Sequence, residues 1–202
     1  MLELSKIAIT GSFGAGKSTV CLVLRALGAF VADADTIVKQ LLKASTPLGK
    51  QIIKLLGKDI LEHDSIDQKK LAEKVFKDRE KLKQLEDLLH PYVFKEIEEL
   101  YENVKKQNHY RFFVVEIPLL FELGKQSEYD YVITVITDSE SCKERLKKRG
   151  FEPEEYDMRM KRFFSTDEKK EKSHFIIENN GTFEELRKKV EDITYQISKK
   201  SQ

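Results

Sequence analysis

An α/β fold, a five-stranded parallel sheet with helices on both faces, is predicted by three observations. Five apolar, largely β-branched runs (residues 7–10, 28–33, 111–117, 131–137 and 174–178) lack the strict alternation of a half-exposed sheet, as strands buried on both faces do. Segments with helical spacing separate them, as crossovers between parallel strands require. Finally, Gly11-Ser12-Phe13-Gly14-Ala15-Gly16-Lys17-Ser18 follows the first run directly and opens a helix.

That stretch fits G-x-x-x-x-G-K-[ST], a strand–loop–helix turn that grips phosphate. Its glycines allow a tight turn whose backbone N–H groups point inward. Lys17 is expected to reach the β- and γ-phosphates, with Ser18 as a ligand to Mg²⁺. From Thr19 onward the chain reads as a helix whose N-terminus favours anions. The dinucleotide pattern G-x-G-x-x-G is absent, as are the D-x-x-G and N-K-x-D steps of a guanine-nucleotide switch. The expected ligands are therefore ATP and Mg²⁺.

Gly28 is placed to stop the first helix, and residues 28–33 form the second strand. The chain then carries Asp33-Ala34-Asp35 at the carboxyl end of that strand, beside the phosphate loop in any open parallel sheet. Asp33 is assigned as the base or orienter of an acceptor hydroxyl, and Asp35 as the cap of the next helix. Residues 36–107 are almost wholly helical in character, too long for a plain crossover, and form a candidate acceptor-binding insertion. Leu82, Leu85, Leu88 and Leu89 make one apolar stripe; Val93, Ile97, Leu100, Tyr101 and Val104 make another. Pro91 is expected to divide them into two helices. His90, at that junction, is a candidate substrate contact.

Glu116 ends the third strand, where a carboxylate can meet Mg²⁺ through water. Residues 143–172 are rich in Arg and Lys. Arg145, Lys148 and Arg149 recur at helical spacing and run into Gly150, Pro153 opens a further helix, and Ser165-Thr-Asp-Glu168 is a capping-box pattern. This segment is expected to fold over the triphosphate as a lid. The last helix, with Phe183, Leu186, Val190, Ile193 and Ile197, serves packing.

The 202 residues fit a single domain, 1–202, with the insertion and the lid as subregions. Although 35% of residues are charged, the formal net charge is only +1, so nothing global points to nucleic acid or membrane. No apolar run approaches the roughly 20 residues that span a bilayer, and the N-terminus shows no signal sequence. Cys21 and Cys142 form no disulfide framework and suit a reducing compartment. The expectation is a cytoplasmic monomer acting on a small molecule.

Five blocks resemble the dephospho-coenzyme A kinase family in order: residues 9–19, Asp33-Ala-Asp35, Leu89-His-Pro-Tyr-Val93, Ile117-Pro-Leu-Leu-Phe-Glu122 and Arg145-Leu-Lys-Lys-Arg149. Residues 175–181 are similar to the family's closing strand and turn. The resemblance implies transfer of the ATP γ-phosphoryl group to the ribose 3′-hydroxyl of dephospho-coenzyme A, the last step of coenzyme A biosynthesis. It implies that Asp33 is catalytic, that Arg149 steadies the moving phosphoryl group, and that Asn179 lies near adenine. It places Lys39, Lys69, His90, Pro118 and Leu119 on the acceptor side. Lys39 stands where the family commonly has Arg, Gln68 replaces another Arg, and Cys142 and Phe163 replace two Gln. The alternatives are a nucleoside or nucleoside-monophosphate kinase and a non-catalytic nucleotide-binding regulator.

Overall fold

Strand β1 (Ser5–Gly11) is buried along its whole length, as its apolar run requires of a central strand. It leads through the phosphate loop into α1 (Lys17–Ala26) and then β2 (Phe30–Ala32). Gly28 ends α1 at φ 88°: its N–H donates to the Arg25 carbonyl and that of Ala29 to Leu24, the paired bonds of a Schellman turn. The computed structural model describes residues 3–32, 34–75 and 78–200. They fall into two compact units, Met1–Ala32 with Asn103–Gln202, and Asp33–Glu102.

The second unit holds α2 (Ala34–Leu41), α3 (Pro47–Leu56), β3 (Leu61–Glu62), β4 (Ser65–Ile66), α4 (Gln68–Val75) and α5 (Arg79–Gln107) as far as Glu102. Thr46 caps α3, its Oγ1 accepting from the Gly49 N–H at 2.9 Å. A Cβ at Gly49 would lie 2.1 Å from the Lys43 carbonyl oxygen, so the turn needs glycine there. The antiparallel β3–β4 hairpin interrupts the helical run expected for this region. Its strands are two residues each, too short to leave an alternation pattern, and His63 turns the corner at φ 52°.

Two further expectations for this unit are corrected. Helix α2 begins at Ala34, so Asp35 stands inside its first turn and not ahead of it as a cap. Helix α5 runs through Pro91 without a break. Proline there removes one backbone donor, but its ring is exposed while Leu85 and Ile97 are buried on either side. Burial of both stripes on one continuous rod outweighs the local cost, about 3 kcal/mol for an interior proline. His90 is therefore a mid-helix residue, with its ring tilted near Phe94.

The first unit resumes with β5 (Phe112–Glu116), β6 (Tyr131–Ile136), α6 (Ser139–Lys147), α7 (Pro153–Met160), α8 (Thr166–Glu171), β7 (Phe175–Glu178) and α9 (Phe183–Lys200). The expected five-stranded parallel sheet is present in the order β2-β5-β1-β6-β7. Ile7, Ile9, Val114, Ile133, Val135 and Ile177 face α1 and α9, which contribute Val20, Leu24, Leu186, Val190 and Ile197 to one core. Thr134 points to the opposite face, where its hydroxyl bonds Ser173 at the end of α8. Helices thus cover both faces. The chain passes from β1 to β2 on one side of the sheet and from β5 across β1 to β6 on the other, and this reversal opens a crevice beyond the strand ends.

Candidate active site

The loop between β1 and α1 closes on glycines at φ 137° (Gly11), 80° (Gly14) and 96° (Gly16). Space forbids side chains at two of them: a Cβ on Gly11 would lie 2.0 Å from the Val135 carbonyl oxygen, and one on Gly16 2.3 Å from the Asn179 amide. The loop is held from below. The Ala15 carbonyl accepts from the Asn179 amide at 2.8 Å and from the Thr137 hydroxyl at 3.1 Å. Arg145 approaches the same oxygen at 3.5 Å and donates to the Asn179 carbonyl at 2.7 Å. Ser12 and Ala15 are buried, and Thr19 lies in the first turn of α1.

Lys17 is buried, and its Nζ donates to the carbonyls of Gly11 (3.1 Å) and Ser12 (3.0 Å). Burial pushes its ammonium below the usual lysine range, with Glu116 working in the opposite direction. The Ser18 hydroxyl donates to Glu116 at 2.9 Å. The two expected Mg²⁺ contacts, one in the first turn of α1 and one at the end of β5, therefore sit side by side. One hydroxyl and one carboxylate are the hard oxygen donors Mg²⁺ takes, alongside waters and phosphate oxygens, so these residues fit the ion. Among the described residues no group of three or more His, Cys, Asp or Glu side chains is placed to hold a metal.

Both cysteines pack rather than react. Burial, with Glu116 adding to it, pushes the Cys21 thiol up to about 12, and burial raises Cys142 as well.

The loop after β5 is tied to the Arg- and Lys-rich segment by a buried ion pair. Lys169 of α8 is 1% exposed and lies 3.3 Å from Glu122, which is 12% exposed. Glu122 also accepts the Phe164 N–H at 2.6 Å, and the Lys169 ammonium stands 4.3 Å from the Phe163 ring centre. Burial holds Lys169 below the usual lysine range against the pull of Glu122. Composition hid this pair, because Lys169 sits in the charged run Asp167-Glu-Lys-Lys-Glu-Lys172, which reads as solvated. The Glu at the end of Pro118-Leu-Leu-Phe-Glu122 was the available signal.

Residues 143–172 comprise the end of α6 and the short helices α7 and α8, opened as expected by Pro153 at α7 and by the Ser165–Glu168 capping box at α8. Gly150 closes α6 at φ 84°, with Phe151 donating to the Leu146 carbonyl. Arg149 is exposed at that turn. A cleft of about 350 Å³ between this segment and the sheet ends is lined by Ser12, Thr137, Asp138, Tyr156, Met160 and Asn180, among others.

Pro118 is exposed and Leu119 half-buried in the loop after β5; the Pro118 carbonyl accepts from the Thr10 hydroxyl at 3.1 Å. Lys39 in α2 and Lys69 in α4 are exposed, and His90 is half-buried in α5; all three belong to the second unit. Asp33 lies outside the described residues, as does the side chain of Asp35.

The family model for dephospho-CoA kinase matches residues 5–185. A dephospho-CoA kinase from Aquifex aeolicus is 38% identical, with 97% of this chain and 99% of that protein aligned. One from Chlamydia trachomatis is 42% identical over 94% of this chain and 95% of its own length. Among solved structures, the dephospho-CoA kinase from Campylobacter jejuni superimposes with a TM-score of 0.72 at 29% identity, covering 98% of this chain and all (100%) of that one. A shikimate kinase from Acinetobacter baumannii shares the fold alone, with a TM-score of 0.55 at 18% identity. With a matched phosphate loop, a matched sheet and relatives aligned end to end, this chain belongs to the dephospho-CoA kinase family of P-loop kinases.

Proposed function

We propose that the protein transfers the γ-phosphoryl group of ATP to the 3′-hydroxyl of the ribose of dephospho-coenzyme A, giving coenzyme A and ADP. The observation that carries this reading is the phosphate loop with Lys17 inside it and the Ser18–Glu116 pair at its mouth. The acceptor is that of the relatives' names. Backbone N–H groups from Gly11 to Thr19 cradle the phosphates, and Lys17 exchanges its carbonyl partners for phosphate oxygens. Ser18 and Glu116 would hold Mg²⁺, which neutralises charge on the β- and γ-phosphates when bound.

The Asp33 carboxylate accepts the proton of the 3′-hydroxyl as its oxygen bonds to the γ-phosphorus and the bond to the ADP oxygen breaks. Arg149, with Arg145 behind it, steadies the moving phosphoryl group from the lid, and Asn179 lies at the adenine side. Lys39, Lys69, His90, Pro118 and Leu119 hold the acceptor, with residues 36–107 as the acceptor-binding insertion. The buried, unpaired cysteines suit a reducing cytoplasm, and we take the protein to act there as a monomer. Among the described residues no helix is long and apolar enough to cross a membrane.

The test is an acceptor screen with ATP and Mg²⁺. Dephospho-coenzyme A should be turned over far faster than AMP, CMP or dTMP. Selective turnover of a nucleoside monophosphate would instead make the protein a nucleotide kinase, and ATP binding without turnover of any acceptor would make it a regulator.

Lys17 supplies a pH test. Its charge, and the phosphate affinity that charge gives, is complete below its depressed pKa and lost as pH rises through it. ATP affinity should therefore fall on the alkaline side at a lower pH than an exposed lysine would dictate. Lys17→Met should abolish that limb and lower kcat/KM by about 10²–10³-fold, the scale of one lost charge-stabilising donor. An unchanged alkaline limb in Lys17→Met would assign it to another group.

A further inference from the structure

Phosphate binding fixes the glycines, the lysine and the hydroxyl of the loop, and leaves the side chain between Ser12 and Gly14 open. Here it is Phe13, and its ring faces the lid. It meets Phe151 edge-on with centres 5.4 Å apart and packs on Cys142, Leu146 and Tyr156. The Arg159 guanidinium of α7 lies 4.5 Å from the Phe13 ring centre and 5.3 Å from that of Phe151. A cation is thereby held on aromatic faces at the tip of the phosphate loop.

We infer that Phe13 is a positioning residue that stores Arg159 beside the phosphate site, and that ATP draws the guanidinium off the two rings. The inference rests on the nucleotide reading above. Phe13, Phe151 and Arg159 are each half-buried, and a guanidinium on a ring with that access to solvent is worth about two- to five-fold in an equilibrium, whereas charge-assisted, bidentate bonds to phosphate oxygens are stronger. The exchange therefore runs toward the nucleotide, and the ring contact given up subtracts from ATP affinity. Removing the ring face while keeping apolar bulk should tighten binding, which a purely structural role for Phe13 would not do.

The experiment is calorimetric titration of the full chain with ATP and Mg²⁺, without acceptor, for the unsubstituted protein, Phe13→Leu, Arg159→Met and the double variant. Phe13→Leu should bind ATP about two- to five-fold more tightly, by the same ring contact. Arg159→Met should bind more weakly, and adding Phe13→Leu to it should change nothing. Thermal melts accompany each titration, and Phe13→Met, equally flexible and apolar, repeats the measurement should the leucine variant fail to fold. Absence of ATP binding by the unsubstituted protein overturns the nucleotide reading. Binding by that protein with equal or weaker affinity in the Phe13 variants overturns the storage role alone.

Discussion

Asp33→Asn should lower turnover by about 10²-fold or more while leaving ATP affinity almost unchanged. The amide keeps the size of the side chain but accepts no proton, so only the step that needs a base suffers. The described neighbours justify the choice. Ala32, the last paired residue of β2, is in register with Val115, which pairs across to Ala8 in β1. Ala32 thus ends β2 on the side of the sheet where β1 runs into the phosphate loop and β5 ends at Glu116. Steady-state kinetics beside an ATP titration would check the split. Near-normal turnover would reject the assignment and turn attention to Asp35, and a parallel loss of ATP affinity would mean that Asp33 serves binding instead.

The second large effect concerns Glu122 and Lys169. Lys169→Met leaves the Glu122 carboxylate buried without its counter-charge and should cost about 3–5 kcal/mol of stability in urea unfolding. The double variant Glu122→Gln/Lys169→Met should recover most of that loss. Glutamine retains an oxygen for the Phe164 N–H, and methionine fills the aliphatic path of the lysine beside the Phe163 ring. A single-variant cost below about 1 kcal/mol would mean that the pair behaves like an exposed one.

Much of the sheet was legible because its strands are apolar runs between helical segments, and Gly28 and Gly150 mark helix ends that only a positive φ can make. The phosphate loop was legible for the same reason: its glycines answer to backbone geometry that a sequence states directly. Pro91 misled because a local preference lost to burial on both sides of it. The β3–β4 hairpin escaped because two-residue strands carry no period. What the sequence could not display were partners far apart along the chain. Arg145 read as a lid cation, yet its guanidinium reaches the Asn179 carbonyl. Lys169 read as one of the many cations of residues 143–172, yet it is buried against Glu122. Phe13 read as one more residue of the phosphate-binding loop, and its ring meets Phe151 and the Arg159 guanidinium.

The bond from the Asn179 amide to the Ala15 carbonyl joins positions 164 residues apart, which has a consequence for how the protein is made. The ribosome delivers the glycine-rich turn first, and the strut beneath it follows only 164 residues later. A growing chain therefore carries its nucleotide grip unbraced until Asn179 has emerged, and fragments cut short of β7 would lack that brace however well their first strands pair.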